Sequence, residues 1–290
     1  MALTILLSNP ILDEITLKRI EHILKHAIDW HMVFHISLIE RTTFIICKNL
    51  LQYHYLWLVP DCLGFVWNAA YVGNIKRNKQ LLYYFKILLK AFSQKGIVAI
   101  PGSGVMLLCS IYENMLGVRL LHDIDFFTEK KYFPDIGNIL FDLNFKKIYI
   151  NDKDFFINLP DLHEYDVLYS KYINSTYINC DFCSCIKENP ALYTFLIDCM
   201  KNKKTTDYYS AQLVMLYLAV LKSWNGGYYF KDIRHYTYSR LIDLHLYKKL
   251  YVNFNIAYLL NKTSSASNLI QQIQDVDECL NFFKKEGYLI

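Results

Sequence analysis

The spacing of apolar positions along this chain changes period twice, and each change predicts a change of architecture. From residue 11 to about 96, apolar residues recur every three or four positions, most clearly over 16–28 and 74–92, which predicts amphipathic helices. Pro60 and the stretch 61–64 divide that run into two helical groups. At Gly96 the period shortens. Ile97-Val98-Ala99-Ile100 is a β-branched run closed by Pro101-Gly102-Ser103-Gly104 and followed by the apolar stretch 105–112, a pattern of strand, tight turn and helix. Residues 121–127 alternate as a strand does, and 133–143 predict a helix stopped at Asn144. Short strands are predicted over 145–150, 155–159, 164–169 and 177–185. Beyond Asn189-Pro190 the helical period returns over 191–200, 211–224, 233–247 and 266–285. The expected fold is α+β. A small mixed-sheet core at 94–188 stands between an N-terminal helical region, 1–93, and a C-terminal helical bundle, 189–290.

Composition narrows the functional classes. With 290 residues, 53% of them apolar, and 24 Tyr and 18 Phe, the chain can bury a large core and does not read as disordered. A net charge of +4 without any run of Lys and Arg argues against a nucleic-acid partner. Every apolar stretch is broken by a charged residue or His before the roughly 18 residues that a membrane span requires. The N-terminal apolar run lacks a basic lead and meets Asp13 and Glu14, so no signal peptide is expected. Eight cysteines lie mainly in apolar segments, as in a protein of the reducing cytoplasm. Among them Cys180, Cys183 and Cys185 contain one CxxC spacing without a second. On a strand Cys180 would face away from the other two, which favours packing over zinc chelation.

The chemistry-bearing feature is His122-Asp123-Ile124-Asp125. On a strand, Asp123 and Asp125 project from one face, where two like charges become favourable chiefly when a hard divalent cation neutralises them. An isolated pair of this kind is usually a solvated strand face. What raises it here is the Gly102-Ser103-Gly104 turn upstream, at the junction of a strand and a helix, where backbone N–H groups can hold phosphate.

Strand, Gly-Ser turn, helix and a second strand carrying Asp123-Ile124-Asp125 together resemble the polymerase-beta-like nucleotidyltransferase superfamily. Arg77-Asn78, Lys95-Gly96-Ile97, Gly102, Tyr112 and Arg119 are similar to its bacterial uncharacterised nucleotidyltransferase branch, often found beside peptide natural-product clusters. Ile178-Asn179-Cys180-Asp181 resembles the strand that presents a further acid, and Arg240-Leu241-Ile242-Asp243-Leu244 the C-terminal bundle. The chain departs from the branch at Pro101-Gly102, where Lys-Gly is usual, and at Asp181-Phe182-Cys183, where acid-Leu-His is usual.

The resemblance implies that Asp123, Asp125 and Asp181 hold two magnesium ions and do the catalytic work, with Asp166 as the rival for the third carboxylate. It implies that Gly102 and Ser103 cradle the phosphates of a nucleoside triphosphate, ATP in the first instance. Arg119 either neutralises charge on the leaving group or forms a salt bridge that fixes the loop before the strand. The implied activity is transfer of AMP to a small-molecule or peptide acceptor, with pyrophosphate released. The alternatives are a catalytically degenerate module that binds a peptide or protein, and a toxin- or antitoxin-type nucleotidyltransferase. His163 and Glu164 fit a surface turn as well as an acid/base role.

Overall fold

The structure, a computed structural model, describes residues 1–148, 166–174, 176–185, 190–202, 205–222, 238–251 and 266–289. The predicted strand 155–159, together with His163 and Glu164, lies outside the described residues. The N-terminal segment folds into helices α1 (Ala2–Leu7), α2 (Glu14–Leu24), α3 (Trp30–Ile39) and α4 (Thr43–Gln52). Asp13 and Asp29 start α2 and α3 by accepting hydrogen bonds from the backbone N–H of Thr16 and Met32, at 2.7 and 2.9 Å. Pro60 ends this group and serves as the N-cap of α5 (Asp61–Gln94), so the stretch 61–64 is the first turn of a long helix.

α5 ties the molecule together. Its N-terminal end contributes Leu63 and Trp67 to an apolar cluster with α1 to α4, and its C-terminal end contributes Leu81, Phe85, Leu88 and Phe92 to the main core. Gly96, at φ 65°, reverses the chain after it. The N–H of Ile97 returns to the carbonyl of Phe92 at 2.9 Å, which withdraws Ile97 from the sheet, so β1 is only Ala99–Pro101.

Further helices and strands among the described residues are α6 (Ser103–Leu108), β2 (Ile124–Thr128), α7 (Phe133–Asp142), β3 (Lys146–Ile148), β4 (Asp166–Ile173), β5 (Thr176–Cys183), α8 (Pro190–Lys201), α9 (Thr205–Lys222), α10 (Tyr238–Leu250) and α11 (Ala266–Lys285). The five strands form one sheet in the order β1-β2-β5-β4-β3. It is mixed: β2 and β5 run parallel, and the other neighbours run antiparallel.

Burial alternates along β2 and β5 as the period-two pattern demands. Ile124, Phe126, Ile178, Cys180 and Phe182 are fully buried, while Asp125, Asp181 and Cys183 are partly exposed. On the buried face Phe126 and Phe182 stack with ring centroids 5.3 Å apart, and Phe92 of α5 meets both edge-on. This aromatic layer fixes the two central strands against α5. The carboxylates are left on the opposite face.

Candidate active site

The register of the parallel pair decides which acids meet. Asp125 of β2 is the direct partner of Asp181 on β5, and Ile124 is the partner of Cys180. Asp123 stands one residue before β2, half-buried like Asp125 and on the same alternation. Burial, and after it the charges of Asp123, Asp125 and Asp181, push the Cys180 thiol on the other face far above its usual value. Asp166 pairs with Cys183 on β4, one strand further from β2. The sheet register therefore brings Asp181, and not Asp166, beside Asp125.

Gly102 makes room for this arrangement. A Cβ atom there would lie 2.5 Å from the Asp125 Cβ and 3.2 Å from its Oδ2. Its N–H donates to the Asp125 carbonyl at 2.7 Å. That bond engages the Gly102 amide, expected from the sequence to cradle phosphate, with β2. Ser103 opens α6, whose first helical bond runs from the Met106 N–H to the Gly102 carbonyl. Replacing Gly102 by Ala should force Asp125 aside, lowering stability by about 1–3 kcal/mol and turnover by about a hundred-fold. Melting curves and steady-state rates of the variant check both effects, and an unchanged rate would remove Asp125 from the reacting geometry.

The loop entering β2 is held by α5 rather than by the sheet, which is why the predicted strand 121–127 begins only at Ile124. Asn74 donates to the carbonyls of Gly117 and Arg119 at 2.8 and 3.1 Å, and Asn78 to those of Leu116 and Arg119 at 2.6 and 2.7 Å. Arg77, on the same helix, donates to the His122 carbonyl at 2.7 Å. Three side chains within one and a half turns thus clamp the loop that delivers Asp123. Burial raises the Asp123 carboxyl above its ordinary value, opposed by His122, Arg77 and Arg240.

Arg119 sits in the ion pair that the sequence left open as one of its two roles. Its guanidinium binds the buried carboxylate of Asp243 on α10, whose other oxygen accepts from the Tyr112 hydroxyl at 2.9 Å. Arg240, one turn earlier on α10, was missed as a site residue. Burial and the nearby Arg119 and Arg41 push its guanidinium down, while Asp243 and Asp125 hold it up. The sequence signal was present in the Arg240 to Asp243 spacing, which places both on one helix face.

Oxygen donors on adjacent strand positions suit a hard divalent cation. Among the described residues, no group of three or more His, Cys, Asp or Glu is disposed to hold an ion unaided. Magnesium commonly takes one or two protein carboxylates and completes its shell with water and phosphate oxygens, so the pair Asp123 and Asp125 fits that habit. No helix among the described residues is long and apolar enough to cross a membrane.

The model of the family described as "Uncharacterised nucleotidyltransferase" matches residues 26–209. No curated protein and no solved structure matches the chain.

Proposed function

This chain belongs to the uncharacterised nucleotidyltransferase family, a family of transferases that take a nucleoside triphosphate as substrate, and from that premise we propose that it moves AMP from ATP to a small-molecule or peptide acceptor and releases pyrophosphate. The supporting observation is the direct pairing of Asp125 with Asp181 across parallel strands, with Asp123 beside them. Asp123 and Asp125, joined by Asp181, would hold two magnesium ions, which when bound neutralise the triphosphate and polarise the phosphorus under attack.

Within that site the chain's own groups have distinct tasks. Asp181 accepts the proton as an acceptor hydroxyl attacks the α-phosphorus and the bond to pyrophosphate breaks. Gly102 keeps Asp125 in place by leaving space for it. Ser103, at the start of α6, contacts the triphosphate. Arg119 acts at one remove, since its charge is matched by Asp243, and holds the loop that carries Asp123. Arg240 adds a positive charge whose field is felt at Asp125.

The test is thermal stabilisation by a non-hydrolysable triphosphate, with and without magnesium, across the four bases. A ligand at about a hundred times its Kd stabilises the folded state by about 2.7 kcal/mol, which corresponds to a rise of roughly 5–10 °C for a protein of this size class. The expected result is a magnesium-dependent rise, largest for the adenine analogue. No rise with any triphosphate would refute the proposed activity.

A further inference from the structure

Beside the acids, but sharing none of Gly102, Ser103, Asp123, Asp125 or Asp181, lies a cavity of about 540 Å³ bounded by α3, α4, α5 and α10. Its volume is in the range of pockets that enclose small organic ligands. One wall is apolar and wet: Phe34, Leu38 and Val66 line it, with Leu38 54% and Val66 51% exposed. Large apolar side chains left exposed around a concavity favour an apolar occupant. The other wall carries Arg41, Arg119, His122 and Arg240. Asp243 matches Arg119, whereas among the described residues no carboxylate lies within salt-bridge distance of Arg41 or Arg240.

The fold goes to some trouble to place Arg41 there. It is a non-glycine residue at φ 55°, in the left-handed region that an arginine seldom adopts. The turn holding it is fastened through the preceding residue. Its predecessor Glu40 accepts the N–H of Tyr238 through Oε2 at 2.7 Å and that of Ser239 through its carbonyl at 3.3 Å. The turn between α3 and α4 is thereby fastened to the start of α10, which sets Arg41 and Arg240 on one rim of the cavity.

We propose that this cavity binds the acceptor, and that the acceptor is an amphipathic anion whose carboxylate or phosphate head lies between Arg41 and Arg240 and whose apolar body lies against Phe34, Leu38 and Val66. The assignment rests on the nucleotidyl-transfer reading for the word acceptor, but the binding itself does not. A triphosphate is a poor occupant, because the apolar wall would strip water from its charges without replacing the hydrogen bonds. Arg240 lines the cavity together with His122, the chain neighbour of Asp123, so a head group held there stands beside the loop that delivers the acids.

The experiment titrates the full chain, by calorimetry and without nucleotide, with octanoate, octyl phosphate, octanol and inorganic phosphate. Both octyl anions should bind while octanol and phosphate bind at least ten-fold more weakly, and the tighter anion identifies the head group. Arg240→Gln and Arg41→Gln should each weaken the anion by about ten- to a hundred-fold, the loss of a charge-assisted hydrogen bond, and Leu38→Asp should weaken it as well. Arg41 and Leu38 are exposed, so those variants keep the test valid even where Arg240→Gln lowers stability. Octanol binding as well as the anions, no probe binding, or displacement of octyl phosphate by magnesium and the adenine analogue would each overturn the proposal. Magnesium-dependent triphosphate binding, measured separately, shows whether the nucleotidyl-transfer reading stands when the cavity assignment falls, and the reverse.

Discussion

Asp125→Asn is expected to reduce nucleotidyl transfer by about a thousand-fold or more while leaving the fold intact. A metal-ligating carboxylate contributes several kcal/mol of charge stabilisation, and about 4 kcal/mol corresponds to three orders of magnitude in rate. Asn has nearly the same shape, so the close approach to Gly102 and the pairing with Asp181 are preserved. Without magnesium the variant should melt no lower than the native chain, because removing one of several clustered negative charges relieves repulsion. With magnesium and the triphosphate analogue, the native chain should gain stability and the variant should not. Single-turnover pyrophosphate release and paired melting curves measure both. A rate within ten-fold of native would end the metal-ligand assignment of Asp125.

The largest loss of stability is expected at a residue that touches neither acid. Asp243→Ala removes the partner of Arg119, whose side chain is 11% exposed, and of the Tyr112 hydroxyl, which is fully buried. Breaking such a pair from one side leaves a charge uncompensated in the interior and costs about 3–5 kcal/mol, a fall in Tm on the order of 10 °C. Replacing all three members, Arg119→Met, Asp243→Leu and Tyr112→Phe, should recover most of the loss, since an apolar set of similar volume needs no partners. If the single variant melts within 2 °C or so of native, the pair contributes no more than a surface bridge would.

The part of the site that follows from local periodicity was legible in the chain. Alternation alone sets Asp123 and Asp125 opposite Ile124 and Phe126, and a glycine before the helix marks the close approach at Asp125. Helix spans such as Phe133–Asp142 and Ala266–Lys285 follow the 3.6-residue period closely. What sequence order does not encode is which strands lie side by side, so the choice between Asp181 and Asp166 awaited the register of β5. The same limit hid the cations. Arg41 lies in the turn between α3 and α4, Arg77 on α5 and Arg240 on α10, and they come to act together around His122 only after those elements pack. The bond made by the Gly102 amide was also invisible, because its acceptor is a carbonyl on another strand.

The parallel pairing of β2 with β5 has a kinetic consequence. Among the described residues every other strand contact joins antiparallel neighbours, but Asp125 meets Asp181 only after the intervening chain has closed a long loop. Loop closure of that kind is slow to be rewarded, and contacts distant in sequence form late on the folding route. Phe126 and Phe182 are partners in the same register as Asp125 and Asp181, so the acidic cluster is assembled in the step that stacks the aromatic layer against Phe92 of α5. Self-repelling charges are gathered together with the apolar contacts that hold them, so chains in which β2 and β5 are not yet paired carry the acids apart and have no assembled site with which to bind metal or nucleotide.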